Sequence, residues 1–311
     1  MPSEPDKSTS SDPQIAKLSL STLIFFMACF IFGGTYVLAY TSIYSLAIVS
    51  LIAAIACGTL GLIQLMNAAA IFFPKAFARG IHWIHAMVFE CFAFLGIGLS
   101  RLIRVVYSSK ASPTAAGRPI LLIHGYLNDS SVWLFQTRQL QKAGLGPIYT
   151  INLGNPFASI RKHAEKVKKK AEQIALETKR CDLILVGHSM GGLVSSWYAT
   201  KLAPPDSVTD VITIGSPLDG TPMARIALGS SAREMQRDSG LIKEMQLAIA
   251  KNQQIHFYHI ASKSDQLVLP GASAILDGSH PERQFMMEDV GHGGLLFSVR
   301  VSQKIAEWLS E

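Results

Sequence analysis

Cysteine is scarce in this 311-residue sequence: there are four, Cys29, Cys57, Cys91 and Cys181. Four are too few for a disulfide scaffold, and the absence of any CxxC or Cys/His cluster removes the usual zinc signatures. Three of the thiols sit in apolar segments and Cys181 directly precedes another, which suits a reduced compartment. A concentrated basic face is also missing. The net charge of +6 is split, with seven Lys or Arg against four acidic residues up to position 116 and 21 against 18 beyond it. Nucleic-acid binding calls for clustered cations, and the one candidate, Arg161–Lys170 in RKHAEKVKKK, reads as the solvated side of an amphipathic helix. A mild positive balance beside apolar segments suits an anionic membrane surface instead. There are no internal repeats.

Charge is absent from two long stretches, 18–40 and 43–66. Each exceeds the roughly 20 residues that cross a bilayer core as a helix. They are separated only by Thr41-Ser42, so a transmembrane helical hairpin is expected, after a polar, disordered tail over 1–17. The first stretch is longer than a signal-peptide core and is followed at once by the second, which argues against cleavage. A third apolar segment, 81–106, holds His82, His85, Glu90, Arg101 and Arg104. Charge within hydrocarbon is costly, so this segment is expected in the membrane interface, with a third span as the alternative. The interfacial placement keeps Glu90 near water. With two spans, Lys7, Lys17, Lys75 and Arg79 share one side, and the positive-inside tendency makes it cytoplasmic. The membrane region thus covers 18–107, and the small, polar residues 108–117 form a linker.

From residue 118 to 311 short apolar runs alternate with helical patterns. The runs are 119–123, 147–153, 183–186, 211–214, 255–260 and 284–288, and the helices fall around 133–142, 159–178, 192–201, 240–250 and 298–309. Such alternation predicts an α/β fold with a mostly parallel sheet and helices on both faces. Within it, LILVGHSMGG runs an apolar strand into Gly187-His188-Ser189-Met190-Gly191 and on to small residues that open a helix. This is the nucleophile-elbow pattern: a serine on a strained strand-to-helix turn, with glycines giving room for the backbone. Ser189 is the candidate nucleophile. The N–H of Met190 is one candidate oxyanion donor, and that of Tyr126, from ILLIHGY at an earlier strand end, is the other. His124 in that loop reads as structural.

An acid and a base should follow in the order Ser, Asp or Glu, His. Asp265 lies just past the strand 255–260, and His292 lies in the Gly-flanked loop EDVGHGG. Both positions fall at strand C-terminal ends, where open α/β sheets build their sites. His292 is the candidate base and Asp265 its orienting acid. The rivals are His280 in a loop, His256 and His259 within a strand, His163 on the basic helix and His188 at the elbow. For the acid they are Asp289, Asp219 and Asp277.

LLIHGY, VGHSMGG, IGSPLDGTP, SDQLVLP and DVGHGGLLFS, in this order over about 118–311, resemble the small, minimal-lid bacterial lipases and esterases of the α/β-hydrolase superfamily. GSPLDGTP resembles a lipase segment beside the active-site mouth, with Leu218-Asp219 departing from the usual pattern. The hairpin extension looks like that of inner-membrane members of the group. The resemblance implies ester hydrolysis through an acyl-enzyme, without a cofactor, on a lipid or other acyl ester; no metal is expected, and the charge pattern of the two spans places the catalytic domain on the cytoplasmic side of a bacterial inner membrane. Thioesterase or acyltransferase chemistry, and a non-catalytic membrane scaffold, stay open beside it. MARIALGSSAREM, within the insertion 217–254, reads as a connecting helix rather than a cover over the site.

Overall fold

The structure, a computed structural model, describes residues 90–93, 95–100, 117–276 and 278–310. The expected tail, both hairpin segments 18–40 and 43–66, and positions 108–116 of the linker lie outside these residues. Among the described residues no helix is long and apolar enough to cross a membrane.

Six strands pair in parallel: β1 (Ile120–Ile123), β2 (Ile148–Ile151), β3 (Leu183–His188), β4 (Val208–Ile214), β5 (His256–Ser262) and β6 (Gln284–Met287), in the order β2-β1-β3-β4-β5-β6. The central strands read as continuous apolar runs because they are covered on both sides; ILLI of β1 has no exposed surface at all. Leu121 and Ile123 point into a core shared with α2 (Ile160–Thr178), α3 (Met190–Lys201) and α5 (Gly240–Lys251). Ile120 and Leu122 point the other way, into a core shared with α1 (Leu134–Lys142) and α6 (Val299–Ser310). A period of two along the strand thus builds both layers.

The basic run falls on α2, which turns Ile160, Ala164, Val167, Ala171 and Ile174 inward at helical spacing and leaves its lysines mostly outward. Between β4 and β5 the chain does not form the single connecting helix expected for MARIALGSSAREM. It makes a 3₁₀ turn at Pro222–Arg225 and the short α4 (Gly229–Glu234), because Gly229 adopts a positive φ of 91° that interrupts any continuous helix.

Residues before the expected linker pack with those after it. Arg79–Glu311 forms one compact unit, and residues 90–100 are helical within it, Phe94 aside. Ile97 joins the core on the α1/α6 side, and Gly96 packs against the Phe297 ring. Glu90, expected near water in an interfacial segment, is instead 2 % exposed. A carboxylate can be buried there because backbone amides of the same unit satisfy it.

Candidate active site

Each site residue foreseen in the sequence leaves the C-terminal end of a strand: Tyr126 after β1, Ser189 after β3, Asp265 after β5 and His292 after β6. Ser189 stands between β3 and α3 with φ 56° and ψ −127°, a strained conformation for a residue with a side chain. The packing around it explains the neighbouring glycines. A Cβ on Gly191 would collide with the Ile123 carbonyl, and one on Gly125 would lie 2.8 Å from Ser189 Cβ. The Gly125-Tyr126 loop therefore runs directly beside the serine, and Met190 begins α3 with its backbone N–H in the first turn.

The structure joins His292 and Asp265. Nδ1 of His292 lies 2.8 Å from Oδ2 of Asp265, and both side chains are buried. The other oxygen of Asp265 accepts from the backbone N–H groups of Leu267 and Val268, each at 2.8 Å. The carboxylate is thus clamped on one side and aimed at the imidazole with the other. Burial works to lower the His292 pKa, but the Asp265 carboxylate, helped by Glu90, outweighs it and the imidazole holds its proton more tightly than usual.

His188, at the variable elbow position, has a role that the sequence did not suggest. Its ring packs on that of His292, centroids 4.7 Å apart, and its Nε2 lies 3.0 Å from the His292 carbonyl. Since a carbonyl only accepts, Nε2 carries the proton; burial, with the neighbouring His292, keeps this imidazole neutral. Gln266 Oε1 accepts from the His292 N–H at 3.3 Å. Glu90 takes the next two amides, Gly293 N–H on Oε1 at 2.6 Å and Gly294 N–H on Oε2 at 2.9 Å. Glu90 and Gln266 were missed, Glu90 because it lies more than 200 positions away in an apolar segment. A lone acidic residue in such a segment was the available signal.

The rival residues are committed elsewhere. His124 accepts from Leu153 N–H through Nε2 at 3.0 Å, which leaves Nδ1–H to face the Gly125 carbonyl. His256 and His280 pair with Asp210 and Glu282, His259 contacts Thr213, and His163 is enclosed under α2. Asp289 is held by Arg300 at 2.5 Å and Asp219 lies near Arg237; Asp277 is outside the described residues. GSPLDGTP acts through Thr221, whose hydroxyl donates to Leu267 O and accepts from Leu269 N–H, bracing the Asp265 loop.

Around the Gly125-Tyr126 loop the surface turns apolar. The Tyr126 hydroxyl exchanges hydrogen bonds with the backbone of Leu228, and its ring meets Phe157 edge-on at 6.3 Å. Leu127, Phe157 and Leu228 are large side chains left exposed there. The segment after β4 thus reaches the Gly125-Tyr126 loop, contrary to the expectation that it merely connects. A separate open cleft of about 1090 Å³ lies beside α5 and β5, and none of Ser189, His292 or Asp265 lines it.

Residues 118–247 match the family model of the alpha/beta hydrolase fold. The chain has the α/β-hydrolase fold. It is similar to a lipase of Bacillus licheniformis, BlEst2 in its mature form, at 17 % identity and a TM-score of 0.56, over 65 % of this chain and 95 % of that one. It is also similar to lipase B of Aspergillus fumigatus, at 18 % identity and a TM-score of 0.54, over 64 % of this chain and 54 % of that one.

Proposed function

We propose that this α/β-hydrolase is a carboxylic ester hydrolase of the lipase or esterase kind, acting on a lipid through Ser189, His292 and Asp265. The observation that carries the reading is the buried 2.8 Å pair of His292 and Asp265, whose imidazole packs on the residue preceding a strained serine. The family match and the lipases of similar fold support it.

In this reading Ser189 Oγ attacks the ester carbonyl while His292 Nε2 takes its proton, and Asp265 stabilises the imidazolium at Nδ1. The oxyanion is held by the N–H groups of Tyr126 and Met190. Collapse expels the alcohol, which receives the proton from His292. Water, deprotonated by the same imidazole, then attacks the acyl-enzyme, releases the acid and restores the serine.

The lipid class of the substrate rests on apolar surface. Leu127, Phe157 and Leu228 surround the oxyanion loop, and Phe92, Leu95 and Leu99, at helical spacing on residues 90–100, face outward. Exposed apolar patches of this kind mark contact with lipid or partner surfaces. With the charge-free segments 18–40 and 43–66 they favour an enzyme tethered to a bacterial inner membrane by an N-terminal hairpin, its catalytic domain on the cytoplasmic side.

A fluorophosphonate probe tests the reading on the full chain in detergent. Covalent labelling that is lost in Ser189→Ala and strongly slowed in His292→Ala is expected; a wild-type protein that does not label sinks it.

A further inference from the structure

We propose that Glu90 is a positioning residue for catalysis: its carboxylate, brought in by the helical stretch before the catalytic domain, holds the loop that carries His292. The inference rests on the ester-hydrolase reading above and adds to it a residue outside the Ser–His–Asp set.

The backbone around His292 is bound at five successive positions. The Val290 carbonyl accepts from Ser262 Oγ, the Gly291 carbonyl from Leu295 N–H, and the His292 N–H donates to Gln266. The His292 carbonyl accepts from His188, and the amides of Gly293 and Gly294 donate to Glu90. All of these partners but one belong to the ends of β3 and β5, to the segment that follows β5, or to the loop itself. The exception is Glu90, which takes two amides at once, one on each oxygen. Charged acceptors make the stronger hydrogen bonds, so this is the strongest tether on the loop and it acts on the two residues directly after the base.

The glycines of DVGHGG take on a meaning in this light. A Cβ on Gly291 would strike Glu90 Oε2 and approach the Gln266 amide within 2.9 Å, and one on Gly293 would lie 3.1 Å from Glu90 Oε1. The space that side chains would fill on either side of His292 is occupied by the Glu90 carboxylate. The loop and the glutamate fit as one unit, although about 200 residues separate them.

Electrostatics add a second effect. The groups facing His292 are Asp265, Glu90 and His188, and His188 is held neutral by burial. Both carboxylates favour the imidazolium that forms when Ser189 loses its proton. Burial raises the pKa of Glu90 itself, the amides of Gly293 and Gly294 and the nearby His292 oppose that rise, and Asp265 adds to it.

The test uses the full chain in detergent and a short, water-soluble ester. Glu90→Gln is nearly isosteric, but its single amide oxygen can accept from only one of the two N–H groups and its NH₂ confronts the other. We expect kcat to fall about 10- to 100-fold, the scale of a small misplacement of a catalytic group, with KM within about twofold of the wild type. The acid limb of kcat/KM should move to lower pH, since one of the two charges that hold the His292 proton is gone. Glu90→Asp keeps the charge and both acceptors, and should recover part of kcat together with the wild-type acid limb. If Glu90→Gln does not fold, Gly293→Ala carries the test: its Cβ would lie 3.1 Å from Glu90 Oε1 and press the carboxylate away, so kcat should fall with the acid limb moved to lower pH, and an unmoved limb would overturn the proposal. Wild-type kcat and acid limb in Glu90→Gln would overturn the proposal, as would a loss of kcat with the limb unmoved, which is the mark of a merely structural role. In either case Ser189-dependent labelling of the wild type persists and the ester-hydrolase reading stands. A wild type that neither labels nor turns over sinks both.

Discussion

Replacing Asp265 with asparagine should do more than remove a charge, because the surrounding backbone dictates how the new amide must sit. In the native site one carboxylate oxygen accepts from the N–H groups of Leu267 and Val268 and the other faces His292 Nδ1. An asparagine oxygen can satisfy the two backbone donors only by turning its NH₂ toward the imidazole. Nδ1 then has to accept, the ring carries its proton on Nε2, and the nitrogen that should receive the Ser189 proton is already occupied. The opposite flip restores the tautomer but points NH₂ at two amide donors. Losing two backbone bonds and leaving those donors unsatisfied costs about 1–3 kcal/mol for each group, so the unproductive orientation dominates. Serine hydrolases with this defect lose on the order of 10⁴ in kcat, about 5 kcal/mol of transition-state stabilisation at 1.36 kcal/mol per decade. Steady-state hydrolysis of a short ester measures the loss. The acid limb of kcat/KM should also shift to lower pH, because burial pulls the His292 pKa down and Asp265 is the main group opposing it. Activity within about tenfold of wild type, at an unmoved acid limb, would refute the assignment and reopen the search for the acid.

Two further outcomes are expected. Ser189→Ala and His292→Ala should each remove nearly all ester hydrolysis, and the double variant should be little worse than either, since the groups act as a unit; additive losses in kcat would argue against a shared site. Stability should fall as the pH drops from 6.5 toward 4, because burial lowers the pKa of His259 to about 4 while the unfolded chain takes up a proton near 6.5. The fully buried imidazole accounts for up to roughly 3 kcal/mol of that loss. Urea unfolding of wild type against His259→Asn measures it, and identical pH slopes would rule this origin out.

Much of the architecture was legible because parallel strands covered on both faces leave a strong local trace. The apolar run 183–186 and the small residues after Ser189 bracket the elbow, and the strand there extends only two residues further, to His188. Asp265 and His292 could be found because each follows its own strand by a few positions, so sequence order already carries the spatial order. Other features depend on contacts that sequence spacing does not encode. The stretch MARIALGSSAREM has helical composition, yet Gly229 must adopt a positive φ against the Phe157 backbone, which divides the segment. His188 occupies the variable elbow position between Gly187 and Ser189, where spacing assigns it no task. Its role appears only once β6 brings the His292 carbonyl within 3.0 Å of its ring.

The setting of Glu90 is not encoded in composition. Within an apolar segment an acidic residue is a cost, either of crossing the bilayer or of lying at its surface, as long as lipid surrounds the segment. The structure supplies a third environment, in which Ala93 and Ile97 are turned into the same unit as Glu90 while Phe92, Leu95 and Leu99 stay outside. A helix apolar on both sides and carrying one inward carboxylate is what a stretch needs if it packs on a protein core with one face and leaves apolar surface on the other. The two demands together give hydropathy that periodicity alone cannot separate from a spanning helix. The separating observation is the pair of amides beyond His292, which need an acceptor that the local sequence DVGHGGLLF, having only glycine and apolar side chains after the histidine, cannot provide. Glu90 and the loop of His292 thus lie in one compact unit, Arg79–Glu311, and meet directly at those two amides.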